Sequence, residues 1–87
     1  MEQTVKCLLL KDNTILISEI NEIGADIGDP NCKLTKPFKL VEQSDSFVLE
    51  PWITFSLQTE FMINSDSILT IADPTHNLLS KYFELTT

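Results

Sequence analysis

The chain has 87 residues, 43% of them hydrophobic, with 13 acidic against 6 basic side chains and a net charge of -7. That length allows a single domain and core, and a domain so short hides only about 60–65 per cent of its unfolded surface, so this much apolar material makes self-association an early expectation. The acidic balance excludes nucleic-acid binding driven by bulk positive charge. All six basic residues are lysines (Lys6, Lys11, Lys33, Lys36, Lys39 and Lys81), so no guanidinium is present for bidentate phosphate or guanine recognition.

Turn residues recur about every ten positions, as short strands require. Thr4 to Lys11 reads as a first strand, Asp12-Asn13 as a two-residue turn tolerant of positive φ, and Thr14 to Ile23 as the hairpin partner. The apolar positions of that second strand shift phase around Ser18, which predicts a bulge or sharp bend there. Gly24 to Asn31 holds two glycines, two aspartates and Pro30 and reads as a loop. From Lys33 to Gln43 the chain is expected to be extended, with Leu34, Phe38 and Leu40 on one face and Lys33, Thr35 and Lys39 on the other. Pro37 fits only an edge or a bulge, because it has no N–H to give to a ladder. Lys33, Lys36 and Lys39 form the one basic cluster, and the ordinary reading of such a cluster is a strand edge guarded against aggregation.

After a polar turn at Gln43 to Ser46, Phe47 to Ile63 is expected to be one long strand interrupted by Pro51. Its second part alternates Ile53, Phe55, Leu57, Phe61 and Ile63 with polar residues, which predicts one buried and one wet face. Asn64 to Ser67 is a turn into a short strand at Ile68 to Ala72. Asp73-Pro74 then supplies an N-cap carboxylate and a first-turn proline. Leu78, Leu79, Tyr82 and Phe83 follow at helical spacing, giving an amphipathic C-terminal helix that covers one end of the sheet or docks on a neighbour. The fold class expected is mostly β: a small, strongly bent, five-stranded antiparallel barrel over about residues 4–72 with a C-terminal α-helix over about 74–84, in a single domain of residues 1–87.

The N-terminal Met1-Glu2-Gln3-Thr4 lacks a positive region and a following apolar run, so neither a signal peptide nor a membrane span is expected, and a cytoplasmic location is. Cys7 and Cys32 should be reduced there, with Cys7 packed as a small hydrophobe. Catalysis is not expected. His76, the only histidine, falls in the first turn of the helix with no nucleophile or orienting partner in the pattern. Asp26, Asp29 and Asn31 offer oxygen ligands, but the glycine and bidentate glutamate of a calcium-binding EF-hand loop are missing at their spacing, and no metal or cofactor is expected. Trp52, after Pro51, could stack a base, and an aromatic in a strand is more often a core or interface anchor.

Phe61-Met62-Ile63-Asn64-Ser65-Asp66-Ser67-Ile68-Leu69-Thr70-Ile71 resembles the second signature of the Sm-like (Sm, LSm and Hfq) barrels: an apolar strand, a short polar turn and an apolar strand. Leu8-Leu9-Leu10-Lys11-Asp12-Asn13 is similar to that family's first strand and turn, with Asn13 and Ser18 where glycines are usual. The resemblance spans Thr4 to Ala72. Gly28-Asp29-Pro30-Asn31 and the Asp73-Pro74 helix start are similar to Sm-like proteins carried by cyanophages, which implies a phage origin and a host cytoplasm. It also implies a homo-oligomeric ring of about five to seven subunits, closed by pairing of the fourth and fifth strands of neighbours, with Phe61, Ile63, Ile68, Leu69 and Ile71 at the interface. An RNA ligand would meet the loops through Asp26, Asn31, Lys33, Asn64 and Ser65; no DNA or membrane partner is implied. Classical members hold uridine with an Asn in the loop after the second strand and an Arg-Gly before the last. Here those places carry Gly24 to Gly28 and Asn64-Ser65, and no arginine replaces the lost one. Two readings therefore stand side by side: an RNA-binding or RNA-regulatory platform, and a structural or protein-interaction ring that has lost RNA binding.

Overall fold

A computed structural model describes residues 5–24 and 26–86. Six strands, β1 (Val5–Leu10), β2 (Ile15–Glu22), β3 (Cys32–Gln43), β4 (Ser46–Pro51), β5 (Glu60–Ile63) and β6 (Ile68–Ala72), precede one helix, α1 (His76–Thr86). All pairings are antiparallel, in the order β4-β3-β2-β1-β6, and β5 pairs with β3 beyond the end of β4. The mostly β class with a C-terminal helix is the one the sequence predicts. Met1 to Thr4, including the expected start of the first strand, lie outside the described residues.

Local chemistry explains the first hairpin. Leu10 N–H donates to the Thr14 carbonyl at 2.9 Å and Asn13 N–H to the Leu10 carbonyl at 2.9 Å, while Asn13 sits at φ 71°. The turn therefore takes three residues rather than the expected two, because Asn13 occupies a left-handed position that Asn tolerates better than most residues. Thr14 N–H bonds Asp12 Oδ1 at 3.0 Å and holds that carboxyl below its ordinary pKa.

The bend expected at Ser18 and the bulge demanded by Pro37 are one feature. Ile17 stands opposite Phe38 but Glu19 stands opposite Thr35, so Lys36 and Pro37 together face Ser18. Lys36 adopts φ 53°, a conformation that costs a non-glycine residue about 1–2 kcal/mol. Neighbours hold it there. Lys36 N–H donates to the Thr59 carbonyl at 2.6 Å, and the buried Ser18 hydroxyl shares its single proton between the carbonyls of Glu19 at 2.8 Å and Thr35 at 3.1 Å. From α1, the Tyr82 hydroxyl shares its single proton between the carbonyls of Thr35 at 3.2 Å and Lys36 at 3.0 Å.

An extra residue reverses the alternation of side chains beyond it. Before the bulge, Cys32 and Leu34 join Leu8, Leu10, Leu16 and Ile63 in one core cluster. After it, Phe38 and Leu40 pack with Val5, Ile17, Leu78 and Tyr82 in a second cluster on the opposite face. The expected placement of Leu34, Phe38 and Leu40 on a single face is thus corrected.

α1 covers the second cluster of its own chain, with Leu78 and Tyr82 buried and Leu79 and Phe83 partly so. Tyr82 meets Phe38 edge-on at 6.0 Å and 86°, a favoured aromatic geometry. The N-cap is Thr75 rather than Asp73: Thr75 Oγ1 accepts from Leu78 N–H at 3.3 Å, and its carbonyl accepts from Leu79 N–H at 2.9 Å. Pairing of Ala72 with Cys7 leaves Asp73 beside Lys6 of β1, with which it forms an ion pair.

The expected strand through residues 53–63 is also overturned in its first half. β4 ends at Pro51 and β5 begins at Glu60, and between them β3 offers only Lys36 and Pro37 as partners. Residues 52–59 therefore leave the ladder, pinched at the base where Trp52 N–H donates to the Pro37 carbonyl at 3.2 Å and Lys36 N–H reaches Thr59. The predicted buried face is open to solvent instead: Ile53, Phe55 and Leu57 are 39%, 101% and 103% exposed.

Candidate functional site

The two loops expected to face a ligand are brought together. Asn31 Nδ2 donates to Ser65 Oγ at 3.1 Å, and Ser65 N–H donates to Asn31 Oδ1 at 2.8 Å. Asn64 Oδ1 accepts from Asp66 N–H at 3.1 Å and opens the short helical turn Ser65–Ser67. An amide engaged on both its oxygen and its nitrogen keeps one N–H and one lone pair for any ligand, so Asn31 is oriented mainly by its own chain. Lys33 lies 3.8 Å from the Glu60 carboxylate with both side chains well exposed, and such a pair is weak. Asp26 is exposed and uses its carbonyl in a turn with Asp29 N–H at 3.0 Å. Asn31, Asn64 and Ser65 thus form one constellation with Lys33 on the adjoining strand, and Asp26 belongs to a separate turn.

The expected interface residues divide. Ile63 is 8% exposed and belongs to the core of its own chain, Ile68 packs against that core, and Phe61 is half-buried with its ring 6.1 Å from Trp52 at 72°. Leu69 and Ile71 remain 56% and 52% exposed. Leu69 is the extra residue where the β1–β6 register shifts, since Leu9 faces Thr70 and Leu10 faces Ile68. On β5 the exposed apolar residue is Met62, at 48%. Sequence reasoning passed over it; its signal was the out-of-phase position between Phe61 and Ile63. Among the described residues β6 pairs only with β1 and β5 only with β3, so each keeps one edge of backbone N–H and C=O groups without a strand partner.

Two hollows accompany these features. One, of about 290 Å³, lies beside the β3 bulge between Pro37, Trp52, Ile53, Phe61 and Leu85. The other, of about 540 Å³, opens along β6 between Ile20, Cys32, Ile68, Leu69 and Ile71. Burial raises the Cys7 thiol above its ordinary pKa, and burial, with the Glu22 charge adding to it, raises that of Cys32, which keeps both thiols protonated and poorly nucleophilic at neutral pH. His76 is exposed. Among the described residues no three His, Cys, Asp or Glu side chains come together as a metal site, and no helix is long and apolar enough to cross a membrane.

The model of a family described as "Family of unknown function (DUF6561)" matches residues 3–87. No curated protein matches the chain.

Proposed function

Since the chain belongs to that family of unknown function, its role has to come from its own geometry, and we propose that it is a self-assembling Sm-like barrel, a non-catalytic binding ring of the cytoplasm. One protomer's β5 pairs with β6 of the next, and about five to seven copies close the circle. The observation that carries this reading is the pair of strand edges, one on β5 and one on β6, that have no strand partner among the described residues and are flanked by exposed Met62, Leu69 and Ile71. Edges of this kind are normally shielded or paired. The bend at Ser18 and the short turn between β5 and β6 support the likeness to Sm-like barrels.

Protein, rather than RNA, is the ligand class this surface favours. The chain carries -7 with no arginine, Lys33 is close to Glu60, and Asn31 is tied to Ser65. The meeting of the two loops at Asn31 and Ser65 is the observation that favours the RNA reading. Native mass spectrometry tests both. A multiple of the protomer mass is expected, and Leu69→Asp, at an exposed site, should reduce it, because a carboxylate would be desolvated in the seam. A wild-type protein that stays a single protomer at high concentration refutes the ring. Binding of a uridine-rich oligonucleotide that weakens steeply with salt would restore the RNA platform.

A further inference from the structure

Residues 51–59, Pro-Trp-Ile-Thr-Phe-Ser-Leu-Gln-Thr, form the longest stretch of the chain without Asp, Glu, Lys or Arg. They read as a two-faced strand yet leave the ladder, and they carry two large apolar side chains, Phe55 and Leu57, that touch nothing in their own chain at 101% and 103% exposure. A single exposed leucine is ordinary, but a fully exposed Phe and Leu two positions apart on a charge-free projection mark a contact surface.

The projection rises from the edge strand β4–β5. At the other end of the strand order, the hollow of about 540 Å³ beside β6 is floored by Ile20, Cys32, Ile68 and Ile71, within the roughly 300–1,000 Å³ range of pockets that take whole small ligands. Residues 67–72, which border it, are also free of charge. Charge chooses the occupant. Copies that each carry -7 repel wherever their carboxylates meet, so two copies approach best where one uncharged surface meets another. The knob is such a surface, and the hollow carries no net charge, since Lys6 and Glu22 in its lining offset one another and its other lining residues are uncharged; the two lie on different edges, which is the head-to-tail arrangement that closes rings.

We infer that residues 53–58 of one copy dock on a second copy, with Phe55 and Leu57 entering the hollow between Ile20, Ile68 and Ile71 beside that copy's β6. The inference rests on the ring reading and adds to it: strand-edge pairing supplies hydrogen bonds, and the knob supplies the apolar burial that short edges lack. Buried aromatic anchors of this kind dominate interface energetics.

The double variant Phe55→Ser/Leu57→Ser tests it, since both side chains are free of their own chain and the protomer should fold unchanged by circular dichroism. The expected result is a fall from the assembled mass to the single protomer at concentrations where wild type is assembled, with dissociation at least about 100-fold easier for the loss of two anchors. A wild-type assembly that the double variant leaves intact overturns the knob while the edge-paired ring stands. A solitary wild type refutes the ring and the knob with it. Replacing Phe55 with photoreactive p-benzoylphenylalanine gives a second readout: a crosslink to Ile20 or to the Ile68–Ile71 peptide of another copy supports the docking. A crosslink confined to Pro37 or Leu85 of the same chain overturns it.

Discussion

Tyr82→Phe removes one oxygen atom and isolates what the helix contributes to the bulge. The ring is 1% exposed, and its contacts with Phe38 at 6.0 Å and Phe83 at 5.9 Å survive the change. The hydroxyl's bonds to the Thr35 and Lys36 carbonyls do not. Thr35 O still shares the Ser18 proton, at 3.1 Å, with Glu19 O, so the loss falls chiefly on Lys36 O. A lost hydrogen bond costs about 1 kcal/mol, and leaving the part-buried Lys36 carbonyl short of a donor raises that to about 1–2 kcal/mol. For a domain of this size each kcal/mol lowers Tm by about 4–8 °C, so Tyr82→Phe should melt about 4–16 °C below wild type by circular dichroism at neutral pH. An unchanged Tm would show that the bulge stands without the helix and would refute the reasoning.

Burial also pushes the Tyr82 phenol up to about 12 from its ordinary value of 10.0. The unfolded chain then loses this proton near its ordinary pKa while the folded chain keeps it to about 12, so stability present below that window is lost as pH rises through it, by roughly 2–3 kcal/mol. Tyr82→Phe has no such proton, and its Tm should meet or overtake that of wild type within the window; parallel curves would refute the linkage. At the strained position, Lys36→Val should cost about 1–2 kcal/mol in urea unfolding because a β-branched residue resists positive φ, whereas Lys36→Asn should be at least as stable as wild type. Thr75→Ala should cost about 1 kcal/mol as a lost N-cap, and Asp73→Ala less than about 0.5 kcal/mol because its exposed pair with Lys6 is weak; the reverse order would return the cap to Asp73.

Local signals were the legible ones. Asp12 and Asn13 act on their own backbone, so the first turn could be read from the sequence, and only the left-handed Asn13 made it one residue longer. Pro37 announced an edge or bulge because it has no N–H, and Ser18 announced a bend through a phase shift. Their being the same feature depends on the Ile17–Phe38 and Glu19–Thr35 pairings, which no local pattern contains. That non-local fact then inverted two readings, by moving Phe38 and Leu40 to the helix face and by leaving residues 52–59 without a partner strand. Alternation at Ile53, Phe55 and Leu57 reports a two-faced segment but not whose sheet covers it. In the candidate loops, Asn31 and Ser65 were recognisable as polar loop residues, whereas their mutual hydrogen bonds, 34 positions apart, depend on where the barrel brings the chain back.

The single tryptophan stands where β4 gives way to the projecting segment, edge-on to the Phe61 ring of β5. Its indole is therefore a built-in optical probe of one of the two margins at which copies are expected to meet. A blue shift of its emission on raising the protein concentration, absent from a protein lacking Phe55 and Leu57, would follow association in real time without any attached dye.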